Sequence, residues 1–203
     1  MMSTRSFFIF LAGVVDLTEG HHIFRRLFHS FAWIFLVYYL VPQTIFGYSR
    51  AFLFLIVVLI ILGFEGIRLY KGWHIFGLRS YERHQIAAYA WATMAAAISL
   101  LLFPMHLAVV CLIGMGFIDP LIGELKDFWP KLYPYIPLIG WFVISMCFMR
   151  SFTDHTLLQL TLLSAIGSTV AIAAEYPRLM IDDDFLMVVV PLIVLRAVEI
   201  LFF

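Results

Sequence analysis

Asp119, Glu175 and the run Asp182-Asp183-Asp184 place carboxylates at the expected ends of long apolar segments. A carboxylate at the rim of a hydrocarbon slab is costly to desolvate, so its presence there points to a site rather than to filler. Hard oxygen donors gathered in this way suit Mg²⁺, which binds a few carboxylates and leaves positions for phosphate oxygens. Asp119 stands in Gly114-Met-Gly-Phe-Ile-Asp119-Pro120-Leu-Ile-Gly123-Glu124, where glycines permit close backbone approach and Pro120 is expected to break or reset the helix. A carboxylate at such a break can ligate a cation or cap exposed amides, and a plain Asp–Pro helix stop accounts for the same residues. The three adjacent carboxylates at 182–184 repel one another unless water, a cation or basic groups intervene. Their alternative is a solvated cap on the last helix, with Asp183 or Asp184 as N-cap.

Basic groups that suit phosphate oxygens accompany these acids. Between the second and third apolar segments come Glu65, Arg68, Lys71, Arg79, Glu82 and Arg83. Glu65 with Arg68, and Arg79 with Glu82, are i,i+3 neighbours on a helix and can pair as structural anchors. Arginines that keep free N–H donors would instead bind anionic phosphate. Lys126 and Lys131 follow Asp119, and Arg25, Arg26 and His29 lie at the start of the first segment. His29 is placed to take a proton from an alcohol or to cap the helix. Arg196 and Glu199, i,i+3 in the last segment, are expected to pair structurally near its outer end. No Gly-rich loop followed by Lys-Ser/Thr, no HExxH and no nucleophile elbow occurs.

The elements that must carry these residues are membrane spans. Of 203 residues 64% are apolar and only 13% charged, and the mean hydropathy is +1.00. A soluble domain carries about a quarter charged residues. Seven spans are expected, at 28–46, 50–67, 85–103, 105–122, 135–149, 157–174 and 185–203, each near the length that crosses a hydrocarbon core. Their unbroken apolar runs predict an all-α polytopic bundle forming one domain over 1–203, not a barrel of alternating strands. Residues 6–15 form a shorter apolar stretch expected to lie at the interface or re-enter. Cys111 and Cys147 fall inside spans and read as small packing residues.

Arg5, Arg25, Arg26, Arg68, Lys71, Arg79, Arg83, Lys126, Lys131 and Arg178 all fall on one side of this arrangement, against Arg50 and Arg150 on the other. The positive-inside rule puts the first side, with the N-terminus, in the cytoplasm. All acidic residues except Asp154 and Glu199 share that side. Sorting by basic residues does not require this, although water-facing loops would be acidic in any case. The basic residues form no patch of the kind nucleic acid requires.

In their order and span positions these residues resemble the CTP-dependent polyprenol kinase family, which includes dolichol kinase, phytol kinase and CTP-dependent diacylglycerol kinase. The resemblance runs from about His21 to Pro191. It rests on Arg25-Arg26-Leu-Phe-His29, Glu65-Gly-Ile-Arg68, Arg79-Ser-Tyr-Glu82, Leu102-Phe103-Pro104, Gly116-Phe-Ile-Asp119 with Gly123, and Glu175 with Asp182-Asp183-Asp184. It departs at Ile118, Glu124 and Asp184, where the family has glycine, a basic residue and asparagine. It also lacks the family's Lys-Ser/Thr-x-Glu-Gly stretch, in whose place stands Lys126-Asp-Phe-Trp-Pro-Lys131. The resemblance implies an integral membrane enzyme that moves the γ-phosphate of CTP to a lipid alcohol at the cytoplasmic face with a divalent cation. Asp119 and the Asp182–Asp184 run would hold Mg²⁺ and nucleotide phosphates, and Arg25, Arg26 and His29 would bind phosphate or orient the hydroxyl. Asp119, His29 and Glu175 are then the candidate catalytic groups. Arg68, Arg79, Gly123, Lys126 and Lys131 complete the nucleotide site. A cytidylyltransferase, which releases pyrophosphate, and a small transporter are the competing expectations. A cell membrane and an endoplasmic-reticulum membrane are both compatible with the chain.

Overall fold

Backbone polar groups in hydrocarbon must be paired within their own segment, and the apolar runs of this chain accordingly fold as helices. The computed structural model describes residues 32–73, 75, 78, 82, 84–176 and 181–203. After a 3-10 segment, Ala32–Leu36, come α1 (Val37–Leu40), the hairpin β1 (Thr44–Ile45) and β2 (Tyr48–Ser49), and α2 (Arg50–Lys71). They are followed by α3 (Ala88–Leu102), α4 (Met105–Phe128), a 3-10 turn at Pro130–Leu132, α5 (Tyr135–Phe152), α6 (Leu157–Ala174) and α7 (Asp183–Phe202). Five of these helices, α2, α4, α5, α6 and α7, are long and apolar enough to cross a membrane, the signature of an integral membrane protein. Large apolar side chains face outward along them, including Leu59, Ile60 and Ile67 of α2 and Ile139 and Val143 of α5. Such a surface is stable only against lipid or another apolar partner.

Helix α4 is the axis of the bundle. Val110, Cys111, Leu112 and Ile113, one full turn, are all buried, and it packs on α3, α5 and α7, while α6 packs on α5 and α7. Trp141 of α5 is fully buried in the same core. Its ring edge lies where a side chain on Gly114 of α4 would begin: a Cβ there would sit 2.6 Å from Trp141 Nε1, and one on Gly167 of α6 would sit 3.0 Å from the ring. Gly114→Ala is therefore expected to lower stability by roughly 1–3 kcal/mol, because the indole has no room to retreat. A lowered midpoint in thermal or denaturant unfolding in detergent checks this.

Several predicted boundaries shift for local reasons. The described part of the first expected span is helical only to Leu40. Phe46 and Gly47, both at positive φ (51° and 84°), turn the chain into a hairpin in which Thr44 pairs with Ser49. Positive φ at both central residues suits the tight hairpin turn. Arg50 then turns back and donates from Nη1 to the carbonyl of Val41 at 3.2 Å, beyond the end of α1. Helix α2 is N-capped by Ser49, whose side chain accepts from the Phe52 N–H, and runs four residues past its expected end, to Lys71, with Gly72 as its C-cap. At φ 64°, Gly72 makes the left-handed cap that needs no Cβ. Helix α3 is shorter than the span expected at 85–103, because Gln85–Ala87 is drawn off into the corner described below. Pro120 does not end α4, which continues to Phe128. Ile118 and Ile122 on either side of it are buried in the core, and packing along that face outweighs one missing N–H. Cys111 is buried as expected, whereas Cys147 faces outward.

Candidate functional site

The helices alternate in direction, so the ends of α2, α4 and α6 and the starts of α3, α5 and α7 lie together. Among the described residues this end holds Arg68, Lys71, Lys126, Lys131 and every acidic residue except Asp154 and Glu199.

On α4, Asp119, Gly123 and Lys126 follow one another at i, i+4 and i+7 and so share one face. Asp119 is half-buried. An added Cβ on Gly123 would meet nothing within 4 Å, so packing does not demand glycine and space is left beside the helix. Lys126 reaches Glu175, the residue that closes α6, and pairs with its Oε1. Tyr133 donates its hydroxyl to the other carboxylate oxygen of Glu175 at 2.8 Å, and the Lys126 ammonium lies 4.7 Å from the centre of the Tyr133 ring. Burial, reinforced by Glu175, raises the Tyr133 phenol above its usual range, so it remains a donor. Glu175 and Lys126, expected as a catalytic and a phosphate-binding group, are partners that bind the end of α4 to the end of α6. Lys131 is exposed on the 3-10 turn that follows.

The acidic run caps α7. Asp182, rather than Asp183 or Asp184, is the N-cap, accepting from the Asp184 N–H at 3.2 Å. Asp184 is fully buried in the first turn. One oxygen from each of Asp182, Asp183 and Asp184 lies within 4.8 Å of the others. Burial, with Asp184 and Asp183 adding repulsion, pushes the Asp182 carboxyl up to about 9. A folded-state value above the unfolded one of 3.8 means that folding takes up a proton between them. The resulting stability is present in full at low pH and is lost as pH rises through about 9. The melting temperature in detergent without divalent cations should therefore fall as pH rises over that window. Asp182→Asn should flatten the fall, since the amide oxygen still accepts the Asp184 N–H but carries no charge to lose.

Arg68 has a different task from the phosphate contact expected of it. It is fully buried and grips Glu65 with two bonds, Nε to Oε2 at 2.6 Å and Nη2 to Oε1 at 2.8 Å. It also donates to the carbonyls of Gln85 at 2.8 Å and Trp73 at 3.3 Å. Glu65 in turn accepts from the Ala87 N–H at 2.7 Å and the Tyr89 hydroxyl at 2.5 Å. Glu82 accepts from the Ala88 N–H at 2.9 Å. The pair is a buried clamp on the corner between α2 and α3. Arg25, Arg26, His29 and Arg79 lie outside the described residues.

An apolar groove of about 740 Å³ runs along the opposite side of α4, lined by Met105, Val109, Ile113 and Phe117 against Ile144 and Phe148 of α5. Phe117 and Asp119 are two positions apart, roughly 200° around the helix, so this groove does not open onto the carboxylates.

A second cluster, absent from the sequence-based expectation, stands at the other end of the bundle. His106 Nε2 lies 2.6 Å and His155 Nε2 3.4 Å from the same oxygen of Glu199, and Arg196 donates to the other oxygen at 3.3 Å. The expected Arg196–Glu199 pair is present, but it is one side of a larger assembly. The available signal was positional: Pro104-Met-His106 follows a helix end and Asp154-His155-Thr156 lies between two spans, which puts both imidazoles at the level of Glu199.

The chain matches no family model, no curated protein and no solved structure.

Proposed function

We propose that the chain is a lipid-alcohol kinase that transfers the γ-phosphate of CTP to a polyprenol, phytol-like or diacylglycerol hydroxyl at the cytoplasmic membrane face. The observation that carries this reading is the gathering of the acidic groups at one end of the bundle. The Lys126–Glu175 bridge joins the ends of α4 and α6, and Asp182, Asp183 and Asp184 bring three carboxylate oxygens within 4.8 Å of one another at the start of α7. On this reading the same end is cytoplasmic, the chain crosses the membrane seven times, and the acceptor reaches the site laterally from lipid.

The donor set fits Mg²⁺. It consists of carboxylate oxygens without sulfur or imidazole, the hard donors that Mg²⁺ prefers. Asp182, Asp183 and Asp184 would hold the ion, and its chemistry there would be to neutralise nucleotide phosphate charge. Asp119 takes the proton of the acceptor hydroxyl as its oxygen bonds to the γ-phosphorus, and the bond to the β-phosphate bridging oxygen breaks to release CDP. Lys126, already at the rim beside Glu175, offsets charge developing on the transferred group. Lys131 lies on the adjoining turn for the nucleotide phosphates, and the space beside Gly123 admits them close to α4. The clamp of Glu65 and Arg68 fixes the corner between α2 and α3. Arg25, Arg26 and His29 are assigned to phosphate binding and hydroxyl orientation on the family resemblance.

CTP labelled separately at the α and γ positions, offered with Mg²⁺ and each alcohol to the purified protein in lipid, tests this. Label reaching lipid from the γ position alone is the expected result. Transfer from the α position would replace kinase with cytidylyltransferase. No transfer by folded protein with any acceptor would overturn the reading.

A further inference from the structure

We propose that His106, His155 and Glu199 form a binding site for a divalent transition-metal ion of the zinc class, at the end of the bundle opposite the acidic rim. The three residues come from separate elements: the first turn of α4, the α5–α6 connection and the last turn of α7. One donor atom of each lies within 4.8 Å of the others. His106 at the start of α4 and Lys126 near its end are about 30 Å apart along the axis, so this site is independent of the kinase reading.

Two imidazoles and one carboxylate select the ion. Imidazole suits zinc and its neighbours, whereas Mg²⁺ prefers oxygen donors alone. Tetrahedral zinc with bonds of about 2.0–2.1 Å requires donor atoms about 3.3 Å apart. His155 Nε2 already stands 3.4 Å from Glu199 Oε1. His106 Nε2, at 2.6 Å, shares a hydrogen bond with the same oxygen and must withdraw by about 0.7 Å as the ion displaces the proton. Side-chain exposures of 17% for His106, 23% for His155 and 6% for Glu199 describe a lined recess with an opening to the surface.

The surroundings also orient the ligands. Arg196 engages Glu199 Oε2, which leaves Oε1 directed at both imidazoles and favours one-oxygen coordination. The His155 ring packs against Phe203, with centroids 6.1 Å apart, and edge-on to His106 at 6.2 Å. Three protein ligands leave one position of a tetrahedron for water or an anion, the arrangement of reactive rather than sealed zinc sites. An ion held here would also fasten the last turn of α7 to α4 and to the α5–α6 connection.

The test uses the untagged full-length chain in detergent, stripped with chelator and titrated with Zn²⁺ by calorimetry. One ion per chain is expected, with a rise in melting temperature that chelator reverses and equimolar Mg²⁺ does not reproduce. Glu199→Gln and His155→Ala should each weaken binding by more than 100-fold, beyond the 10–100-fold typical of losing a supporting residue. Tyr70→Phe, exposed near the end of α2 at the other end of the bundle, should leave binding unchanged. His155 lies in a connection outside the helices, so its variant decides if Glu199→Gln fails to fold. Co²⁺ in place of Zn²⁺ should give the intense visible absorption of a tetrahedral site, absent in His155→Ala. Failure of the wild-type chain to bind Zn²⁺, or binding unaltered by His155→Ala, overturns the proposal.

Discussion

Arg68→Met is expected to cost on the order of 3–5 kcal/mol of stability, the penalty for removing one partner of a buried ion pair. The loss arises because Glu65 stays behind, 3% exposed, with its charge uncompensated. Among the described residues the Ala87 N–H and the Tyr89 hydroxyl remain to hold it, and the Gln85 and Trp73 carbonyls lose the donor that reached them. Adding Glu65→Gln should recover part of the stability, since the amide oxygen can keep one of those acceptor roles without a buried charge. Unfolding midpoints of the two single variants and the double variant in mild detergent give the coupling directly. A double variant no more stable than Arg68→Met alone would show that the charge pair is not what secures the corner.

That clamp also shows where sequence reading succeeds and where it stops. The i,i+3 spacing of Glu65 and Arg68 was enough to pair them, because helical geometry is local. Their further bonds to Trp73, Gln85, Ala87 and Tyr89 depend on how the chain returns from α2 to α3, which no periodicity encodes. The long apolar runs of α2 and α4 to α7 announced membrane helices for the same local reason. The start of the first run did not announce its end, since the residues up to Phe46 are apolar enough to read as helix while Phe46-Gly47 turns the chain. At the rim, the acidic positions were legible as a pattern, but the pairing of Lys126 with Glu175 spans 49 residues and is a product of tertiary packing. The Glu199 cluster was hidden most completely. Its histidines are 49 residues apart, and the sequence ties Glu199 only to Arg196, the partner one helical turn away.

Asp119→Asn should lower the turnover of γ-phosphate transfer by about 10²–10⁴-fold, the usual contribution of a positioned proton acceptor. The amide is nearly isosteric with the carboxylate, so the half-buried position on α4 tolerates it, and a melting temperature close to wild type is expected. If the proton is taken only as the new bond forms, the loss falls on kcat and leaves the KM for the lipid alcohol little changed. A cation-ligating role predicts something else: raising Mg²⁺ would restore much of the rate, because a weakened site is filled by mass action. Asp183→Asn supplies that comparison, with an expected increase in the Mg²⁺ needed for half-maximal rate and a smaller loss at saturation. Asp154→Asn, at the opposite end of the bundle, should leave both quantities unchanged. Wild-type turnover in Asp119→Asn would remove that residue from the chemistry and shift proton acceptance to another group at the same rim. Recovery at high Mg²⁺ would instead place Asp119 with the Asp182–Asp184 run as a ligand, and the hydroxyl proton would then pass to His29 or to solvent.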